Sequence, residues 1–420
     1  MTEFRALWLA HVLSVAGDQL ARVALTVLVF DRTESAGWAA LTYALTYLPD
    51  LLGGALGGLA DRFPRRTVLV VADVLRAVLV AVMAIPGLPW PVAAALLVVV
   101  QLAAGPFQAA RQAVLPDILG PDRLPVGQAM LSSTYQAALV IGFGAGAAVV
   151  AWLGVTGALA VDAVTFAVSA LALRCGLRPH PVDVVERGPA AASQWASLVA
   201  GCRLVGRDRR LRSLLAIACC SGFYVVPEGL AVPIAAQLGG TGVLPWLLIA
   251  NPVGSLLGAV LLSRLPRVRQ ARLLGPLAVA TSLVLLPTAW TPGLVMIVIL
   301  WTLSGMFSAH DLITQVQYSL AAPPEQRGQV IGVAIAALRA SQGLAIAAAG
   351  ALAQVLAPTT VVAVAAVAGA TVAALAATAW LRAAWGPPRG QRRGARPAPR
   401  RTPRRPAAPP PPPRRGGVRR

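Results

Sequence analysis

The stretch GGALGGLADRFPRRTVLV, Gly53 to Val70, sets a cluster of charges between two apolar segments. Its charged residues are Asp61, Arg62, Arg65 and Arg66. The glycines before them recur at helical spacing, with Gly57 four residues after Gly53, and such glycines let two membrane helices approach closely. A short charged break between apolar segments predicts a loop between two membrane spans.

The composition of the whole chain points the same way. Of 420 residues, 57% are hydrophobic and only 12% are charged, and the mean hydropathy is +0.70. Soluble domains carry about a quarter charged residues. We therefore predict an all-α membrane protein. The sequence contains no phosphate-binding loop, metal-ligand cluster or nucleophile–base pair. We expect neither an enzyme nor an ATP-driven pump, and no cofactor or metal.

Apolar segments long enough to cross a bilayer recur along the chain. Six precede a polar gap, at about 5–30, 36–59, 68–86, 90–111, 125–150 and 155–175. Six follow it, at about 212–236, 243–263, 272–290, 293–315, 328–354 and 359–384. The halves repeat at an offset of about 200 residues, because Gly254 and Gly258 match Gly53 and Gly57. Twelve transmembrane helices in two parallel repeats are a transporter architecture.

Charge in the loops predicts the orientation of the spans. Basic loops lie near residues 62–66, 111–123, 174–212, 264–272 and 327, and the loops that alternate with them carry no basic residue, with Arg32 as the exception. Positively charged loops stay in the cytoplasm. We therefore predict a multi-pass protein of the bacterial plasma (inner) membrane, with both termini in the cytoplasm.

The chain divides into four predicted segments. Residues 1–176 and 212–385 form six-helix bundles, 177–211 a cytoplasmic central loop, and 386–420 a tail. The tail supplies twelve arginines and no acid to a net charge of +20. Its lack of apolar residues predicts disorder, and its charge predicts attraction to anionic lipid headgroups. No aromatic residue is interleaved with these arginines, so a nucleic-acid partner is not expected.

The segment GGLADRFPRR, residues 57–66, resembles the loop signature of the major facilitator superfamily, with Pro64 at a usual glycine. The six-plus-six topology over residues 5–384 strengthens this resemblance. It implies two pseudo-symmetric six-helix bundles that rock about a central substrate site, and a protein that works as a monomer. It also implies that Asp61 and Arg65 stabilise the outward-facing state. The alternative is that these charges set only the topology.

Further motifs resemble the exporter branch that includes enterobactin exporters and macrolide efflux proteins. They are Gly17-Asp18, Asp73 with Arg76, ARQAVLPD at residues 110–117, and VDAVTF at residues 161–166. The resemblance implies export of amphipathic small molecules, such as drugs, antibiotics or siderophores, by proton antiport. The residues that we expect to form a conformational gate come from the loop segment at 57–66 and the motif at 110–117. They are Gly57, Asp61, Arg62, Arg65, Arg66 and Arg111.

Two other functions stay open at this point. The same scaffold supports uptake of a nutrient or metabolite. A protein of another class, a membrane scaffold or receptor that does not transport, could act through the basic tail. Loss of function on deletion of residues 386–420 distinguishes the scaffold from a transporter.

Ionisable residues inside membrane spans are costly and therefore point to function. Our candidates for proton coupling are Asp18, Asp50 and Glu228. Asp18 could instead pair with Arg22, four residues later on the same helical face. Asp50 has no cation within a turn, and could alternatively contact Arg22 or line a wet cavity. Glu228 lies between Pro227 and Gly229, where it could line a cavity or cap a broken helix.

The remaining charged and polar residues are given more modest roles. Asp73 and Arg76, three residues apart, are predicted to form a structural pair, and Asp162 is also predicted to be structural. His310 and Asp311 could titrate near neutral pH or simply form hydrogen bonds. Polar candidates for the cavity wall are Arg22, His310, Asp311, Arg339 and Gln342.

Overall fold

A computed structural model describes residues 2–47, 63–178, 190–290, 293–323 and 326–385. This part of the chain is helical throughout and contains no strand. The helices before residue 178, here called the first half, are α1 (Thr2–Thr33), α2 (Ala36–Ala44), α3 (Arg65–Met83) and α4 (Trp90–Gly176). A connecting helix follows, α5 (Ala190–Arg207).

The helices after residue 208 are called the second half. They are α6 (Arg209–Cys219), α7 (Ser221–Tyr224), α8 (Val226–Gly229), α9 (Ala231–Gln237), η1 (Thr241–Val243), α10 (Leu244–Ser263), α11 (Arg267–Leu283), η2 (Leu286–Trp290), α12 (Leu294–Ser308), α13 (His310–Ala321), α14 (Arg327–Leu352) and α15 (Pro358–Trp385). The chain up to Ala384 forms one compact unit. The domain boundaries predicted from the sequence stay a prediction.

Two glycines redirect the chain inside α4. Gly120 and Gly154 have φ values of 67° and 68°, in the left-handed region that glycine adopts without a steric penalty. They fall at the loops predicted after the fourth and fifth spans. Three predicted spans therefore lie within the 87 residues of α4.

The described ranges contain nine helical segments long and apolar enough to cross a membrane. Helix α3 is not among them and carries four charged residues: Arg65, Arg66, Asp73 and Arg76. These features confirm a helical multi-pass membrane protein. The count of twelve spans stays a prediction, because residues 48–62 in and after the second predicted span lie outside the described part.

Small residues bring α10 and α12 into close contact. A Cβ atom at Gly254 would lie 1.9 Å from the backbone oxygen of Thr302, and one at Gly258 would lie 2.0 Å from that of Met306. Gly305 makes the reciprocal approach to the backbone of Asn251. Glycine is therefore required at these positions for the two backbones to touch.

The seventh predicted span is broken, as its sequence indicates. It runs from Arg209 to Gln237 as the four short helices α6 to α9. Pro227 lacks a backbone N–H and so cannot continue an ordinary helical ladder. The break places Glu228 in α8 rather than in a continuous helix. Irregular backbone at membrane depth is tolerated where it is buried in protein or lines a cavity.

The two halves touch through α2 with α14 and through α4 with α10. Gly350 packs against Gly37 and Ala40, and Gly144 packs against Ile249. At the end of the first pair, the Gln354 side-chain amide donates a 2.8 Å hydrogen bond to the Ser35 hydroxyl. These contacts fall at the helix ends that the charge pattern predicts to be extracellular.

Candidate functional site

One hydrogen bond joins the two halves near the middle of the molecule. The Tyr43 hydroxyl on α2 donates to Oε2 of Glu228 on α8, at 3.1 Å. The Tyr43 side chain is buried, and the Glu228 side chain is half-buried. The break around α8 directs this carboxylate towards the first half, so Glu228 contacts the opposite half and does not merely cap its own helix.

Two arginines surround this hydrogen bond. The Arg22 guanidinium on α1 lies over the rings of Tyr43 and Tyr47, at 5.4 and 5.0 Å from their centroids. The Arg339 guanidinium on α14 lies 5.6 Å from the Tyr47 centroid. Both arginines act electrostatically on the Glu228 carboxylate. Cation–π contacts of this kind strengthen when the groups are desolvated.

Two buried polar atoms on α1 and α14, the helices that carry Arg22 and Arg339, lack a hydrogen-bond partner within the described ranges. Nε of Arg22 and Oε1 of Gln342 are buried and have no hydrogen-bond partner within the described ranges. Buried polar groups are normally satisfied. A donor and an acceptor in this condition suit a site that binds something from solution. The two side chains come from opposite halves.

A second charged cluster lies within the first half. Arg76 on α3 is fully buried and forms an ion pair with Asp18 on α1. Its Nη1 also lies 3.4 Å from Asp73 and donates a 2.7 Å hydrogen bond to the Ser14 hydroxyl. The guanidinium carbon lies 4.1 Å from the centroid of the Phe166 ring. We call Asp18, Asp73, Arg76 and Asp162 the Arg76 cluster.

The suggested pairing of Asp18 with Arg22 is wrong. Although the two residues are four apart on α1, Asp18 binds Arg76 on α3, whereas Arg22 lies over tyrosines of α2. The buried guanidinium of Arg76 needs a counter-charge, and Asp18 supplies it. Asp73, predicted to pair with Arg76, shares that guanidinium and also accepts a hydrogen bond from Ser169.

A third polar group lies in the second half. The Tyr224 hydroxyl on α7 donates to the Asp311 carboxylate. His310 is fully buried, with Nε2 at 3.5 Å from Asp311 and Nδ1 at 3.1 Å from the backbone oxygen of Phe307. The His310 ring also meets the Tyr224 ring edge-on. His310 and Asp311 therefore form a local network with Tyr224.

The described gate residues make contacts within the first half. Arg65 binds the Asp117 carboxylate and the backbone oxygen of Ala113, and Arg66 binds the backbone oxygen of Arg174. Arg111 is buried and contacts the His11 ring, which stacks on Tyr135. Asp50, Gly57, Asp61 and Arg62 lie outside the described residues. Their predicted roles stay predictions.

Sequence reasoning missed the tyrosines of these sites. Tyr43 and Tyr47 are four residues apart in an apolar span, and Tyr224 lies four residues before Glu228. Helical spacing puts residues at i and i+4 on one face. A tyrosine one helical turn from another tyrosine, or from an acid within the membrane, is therefore the sequence signal that could have identified these site residues. In the described part of the chain, no group of three or more His, Cys, Asp or Glu side chains could hold a metal ion.

Comparison with known proteins places the chain in a family. The Major Facilitator Superfamily matches residues 7–309. The multidrug efflux pump Tap of Mycolicibacterium fortuitum is 28% identical over 336 residues, covering 76% of this chain and 81% of that protein. Tap of Mycobacterium tuberculosis is 30% identical over 357 residues, covering 77% and 80%.

The fold agrees with solved transporters. The crystal structure of a POT family transporter in complex with 5-aminolevulinic acid superposes with a TM-score of 0.72 at 10% identity, covering 90% of this chain and 96% of that one. The family match over most of the chain and this superposition confirm the predicted fold, and the family match indicates a transporter. The chain belongs to the Major Facilitator Superfamily and is a multi-pass membrane transporter.

Proposed function

We propose that this transporter exports amphipathic small molecules, including drugs, in exchange for protons. Relatives that cover three quarters of the chain are multidrug efflux pumps. Export rather than uptake of nutrients is therefore the favoured direction. The proposal includes a location in the bacterial plasma membrane as a monomer with both termini in the cytoplasm. It also includes anionic headgroups as partners of residues 386–420.

The observation that carries the coupling mechanism is the hydrogen bond between Tyr43 and Glu228. A charged carboxylate accepts this hydrogen bond strongly and attracts Arg22 and Arg339, one from each half. Protonation removes the charge and weakens all three interactions. Proton binding at Glu228 therefore loosens the connection between the halves, and proton loss restores it. This is the two-state element that a rocking transporter needs.

The contacts between the halves support an inward-facing state. Gly37 with Gly350, and Ser35 with Gln354, close the helix ends predicted to be extracellular. A cargo molecule would enter from the cytoplasmic side and reach Glu228 between the halves. Opening of the extracellular contacts would then release it outside.

The chemistry around Glu228 suits an amphipathic cargo. Tyr43 and Tyr47 supply aromatic rings that are buried in this conformation, while Arg22 and Gln342 carry a buried, unpartnered donor and acceptor within the described ranges. Aromatic surface with a few polar groups is typical of small-molecule sites. A cargo that contacts Glu228 would compete with its proton, and this competition links the two fluxes.

Transport by the full-length protein in liposomes tests the proposal. Ethidium serves as an amphipathic aromatic probe, and an imposed pH gradient supplies the driving force. We expect export to collapse when nigericin dissipates the gradient, and Glu228→Gln to abolish the gradient-dependent part. Glu34→Gln, an exposed glutamate in the turn between α1 and α2, is the matched control and should transport normally.

Three further results distinguish uncoupled export, an importer and a scaffold from the proposed function. Ethidium export that is equally fast without a gradient contradicts proton coupling. Accumulation of a nutrient with no export of any dye favours an importer. A scaffold function predicts that deletion of residues 386–420 abolishes the cellular phenotype, whereas the transporter should retain most of its activity.

A further inference from the structure

The Arg76 cluster is separate from the Glu228 site and lies wholly within the first half. It gathers three carboxylates, those of Asp18, Asp73 and Asp162, around the single guanidinium of Arg76. The acids come from α1, α3 and the last part of α4. One cation cannot balance three anions in a membrane interior, where uncompensated charge is costly.

The partners of Arg76 account for two of the acids. Asp18 forms an ion pair with one terminal nitrogen of the guanidinium, and Asp73 lies 3.4 Å from the other. The second oxygen of Asp73 accepts a hydrogen bond from Ser169. The side chain of Asp18 is 22% exposed, so it is not fully enclosed by protein. Both carboxylates therefore have direct polar partners.

Asp162 has neither of these compensations. It is 0% exposed, and among the described residues no cation lies within ion-pair distance of its carboxylate. Its Oδ1 accepts a 3.2 Å hydrogen bond from Thr165, and its Oδ2 has no partner. A buried carboxylate in this environment is more stable as the neutral acid.

Gly17 explains how this acid comes close to α1. A Cβ atom at position 17 would lie 2.3 Å from Oδ1 of Asp162 and 2.8 Å from the Thr165 hydroxyl. Any larger residue would push α4 away. The glycine before Asp18 therefore places Asp162 beside the one acid of the cluster whose side chain is partly exposed.

The unpartnered oxygen of Asp162 suits a proton rather than a metal ion. Oxygens of Asp18, Asp73 and Ser14 already bind Arg76. Ser169 and Thr165 donate to carboxylates of the cluster. Hard cations need about six oxygen ligands, whereas among the described residues of the cluster only Oδ2 of Asp162 is a buried carboxylate oxygen without a partner. One oxygen suffices for one proton.

We propose that the Arg76 cluster is a second proton site, in which Asp162 carries the proton and Asp18 exchanges it with water. The O–H bond on Asp162 breaks as an O–H bond on Asp18 forms, and Asp18 then releases the proton to solvent. The titratable and charged groups that face Asp162 are Asp18 on α1 and Arg76 on α3. This inference rests on the proposed proton coupling, for which it supplies a site in the first half.

Infrared spectroscopy of the full-length protein in liposomes, without cargo or gradient, tests the site directly. We expect a carbonyl stretch from a protonated carboxyl group that shifts in deuterated water. Asp162→Asn should remove this band, and Asp117→Asn, an acid with 39% side-chain exposure, should leave it unchanged. Glu228→Gln identifies any separate contribution from the central acid.

A second variant keeps the test decisive if Asp162→Asn does not fold. Thr165→Val removes the one hydroxyl that Asp162 accepts from and should move the band to higher frequency without removing it. A spectrum unchanged in both Asp162→Asn and Thr165→Val overturns the proposal, as does a band that sodium ions abolish at constant pH. Gradient-independent ethidium export with the Asp162 band intact would contradict the proposed function and leave the proton site standing.

Discussion

Tyr43 and Glu228 are 185 residues apart in sequence, yet a 3.1 Å hydrogen bond joins them across the two halves. Such a bond to a charged acceptor contributes about 1.5–3 kcal/mol. That is enough to change the balance between two conformations by a factor of ten or more. Its strength depends on the charge of Glu228, so protonation and conformation are linked at one contact.

Removing this hydroxyl should weaken the link without removing the ring. We expect Tyr43→Phe to lower the rate of gradient-driven ethidium export about tenfold or more, by analogy with the loss of a hydrogen bond to a charged group. Tyr47→Phe is the control. It keeps the ring that contacts Arg22 and Arg339, and the hydroxyl it removes is not the one that donates to Glu228. It should transport at a rate close to wild type. Equal rates for the two variants would contradict the role given to Tyr43.

Loss of the buried guanidinium should destabilise the first half. Arg76→Gln leaves three acids around a neutral side chain, and breaking a buried ion pair costs about 3–5 kcal/mol. We expect a large fall in the midpoint of thermal unfolding, measured in detergent. Arg210→Gln is the control, because Arg210 is exposed and lies over the Trp380 ring. A midpoint for Arg76→Gln equal to that of the control would show that the cluster is not structurally important.

The close contact between α10 and α12 should not tolerate a larger residue. Gly254→Leu forces the backbones apart, since even a Cβ atom would lie 1.9 Å from the Thr302 oxygen. Overpacking costs about 1–3 kcal/mol or more, which again lowers the unfolding midpoint. Gly332→Ala on α14 is the control, because a Cβ atom there meets nothing within 4 Å. It should unfold at or slightly above the wild-type midpoint.

A cross-link at the predicted extracellular end should trap one conformation. Ser35→Cys with Gln354→Cys places thiols where a 2.8 Å hydrogen bond now joins α14 to the start of α2. The two substitutions are made in a protein whose native cysteines are all replaced by serine, because these free thiols would also react. The native cysteines are Cys175, Cys202, Cys219 and Cys220. We expect a short bifunctional thiol reagent that is cleaved by reduction to stop ethidium export, and reduction to restore it. Undiminished export after complete cross-linking would show that these contacts do not open during transport.

Much of this fold follows from local chemistry. Apolar runs of membrane length, loop charges and the positions of glycine and proline are properties of short segments. The breaks at Gly120 and Gly154 and the interrupted helix around Glu228 therefore appear where the sequence predicts them. The glycine pair at Gly254 and Gly258 similarly indicates close packing before the partner helix is known.

Contacts across the bundle could not be predicted in the same way. The spacing of Asp18 and Arg22 allowed a pair, but the partner of Asp18 is Arg76, 58 residues later. The sequence predicts a structural role for Asp162 and shows no partner for it. Its lack of a cation becomes visible only when α1, α3 and α4 are placed together. Sequence spacing shows which residues share a helix face, but it does not show which neighbouring helix that face meets, and this decides these contacts.

In the proposed mechanism, cargo and protons exchange through one protein. The most direct measurement loads liposomes with the pH-sensitive dye pyranine, imposes only an ethidium gradient, and follows the internal pH. Antiport predicts that ethidium flowing down its gradient drives protons the opposite way, with the pH change lost in Glu228→Gln. Ethidium flux that leaves the internal pH unchanged, and that is equally fast in Glu228→Gln, would contradict proton antiport.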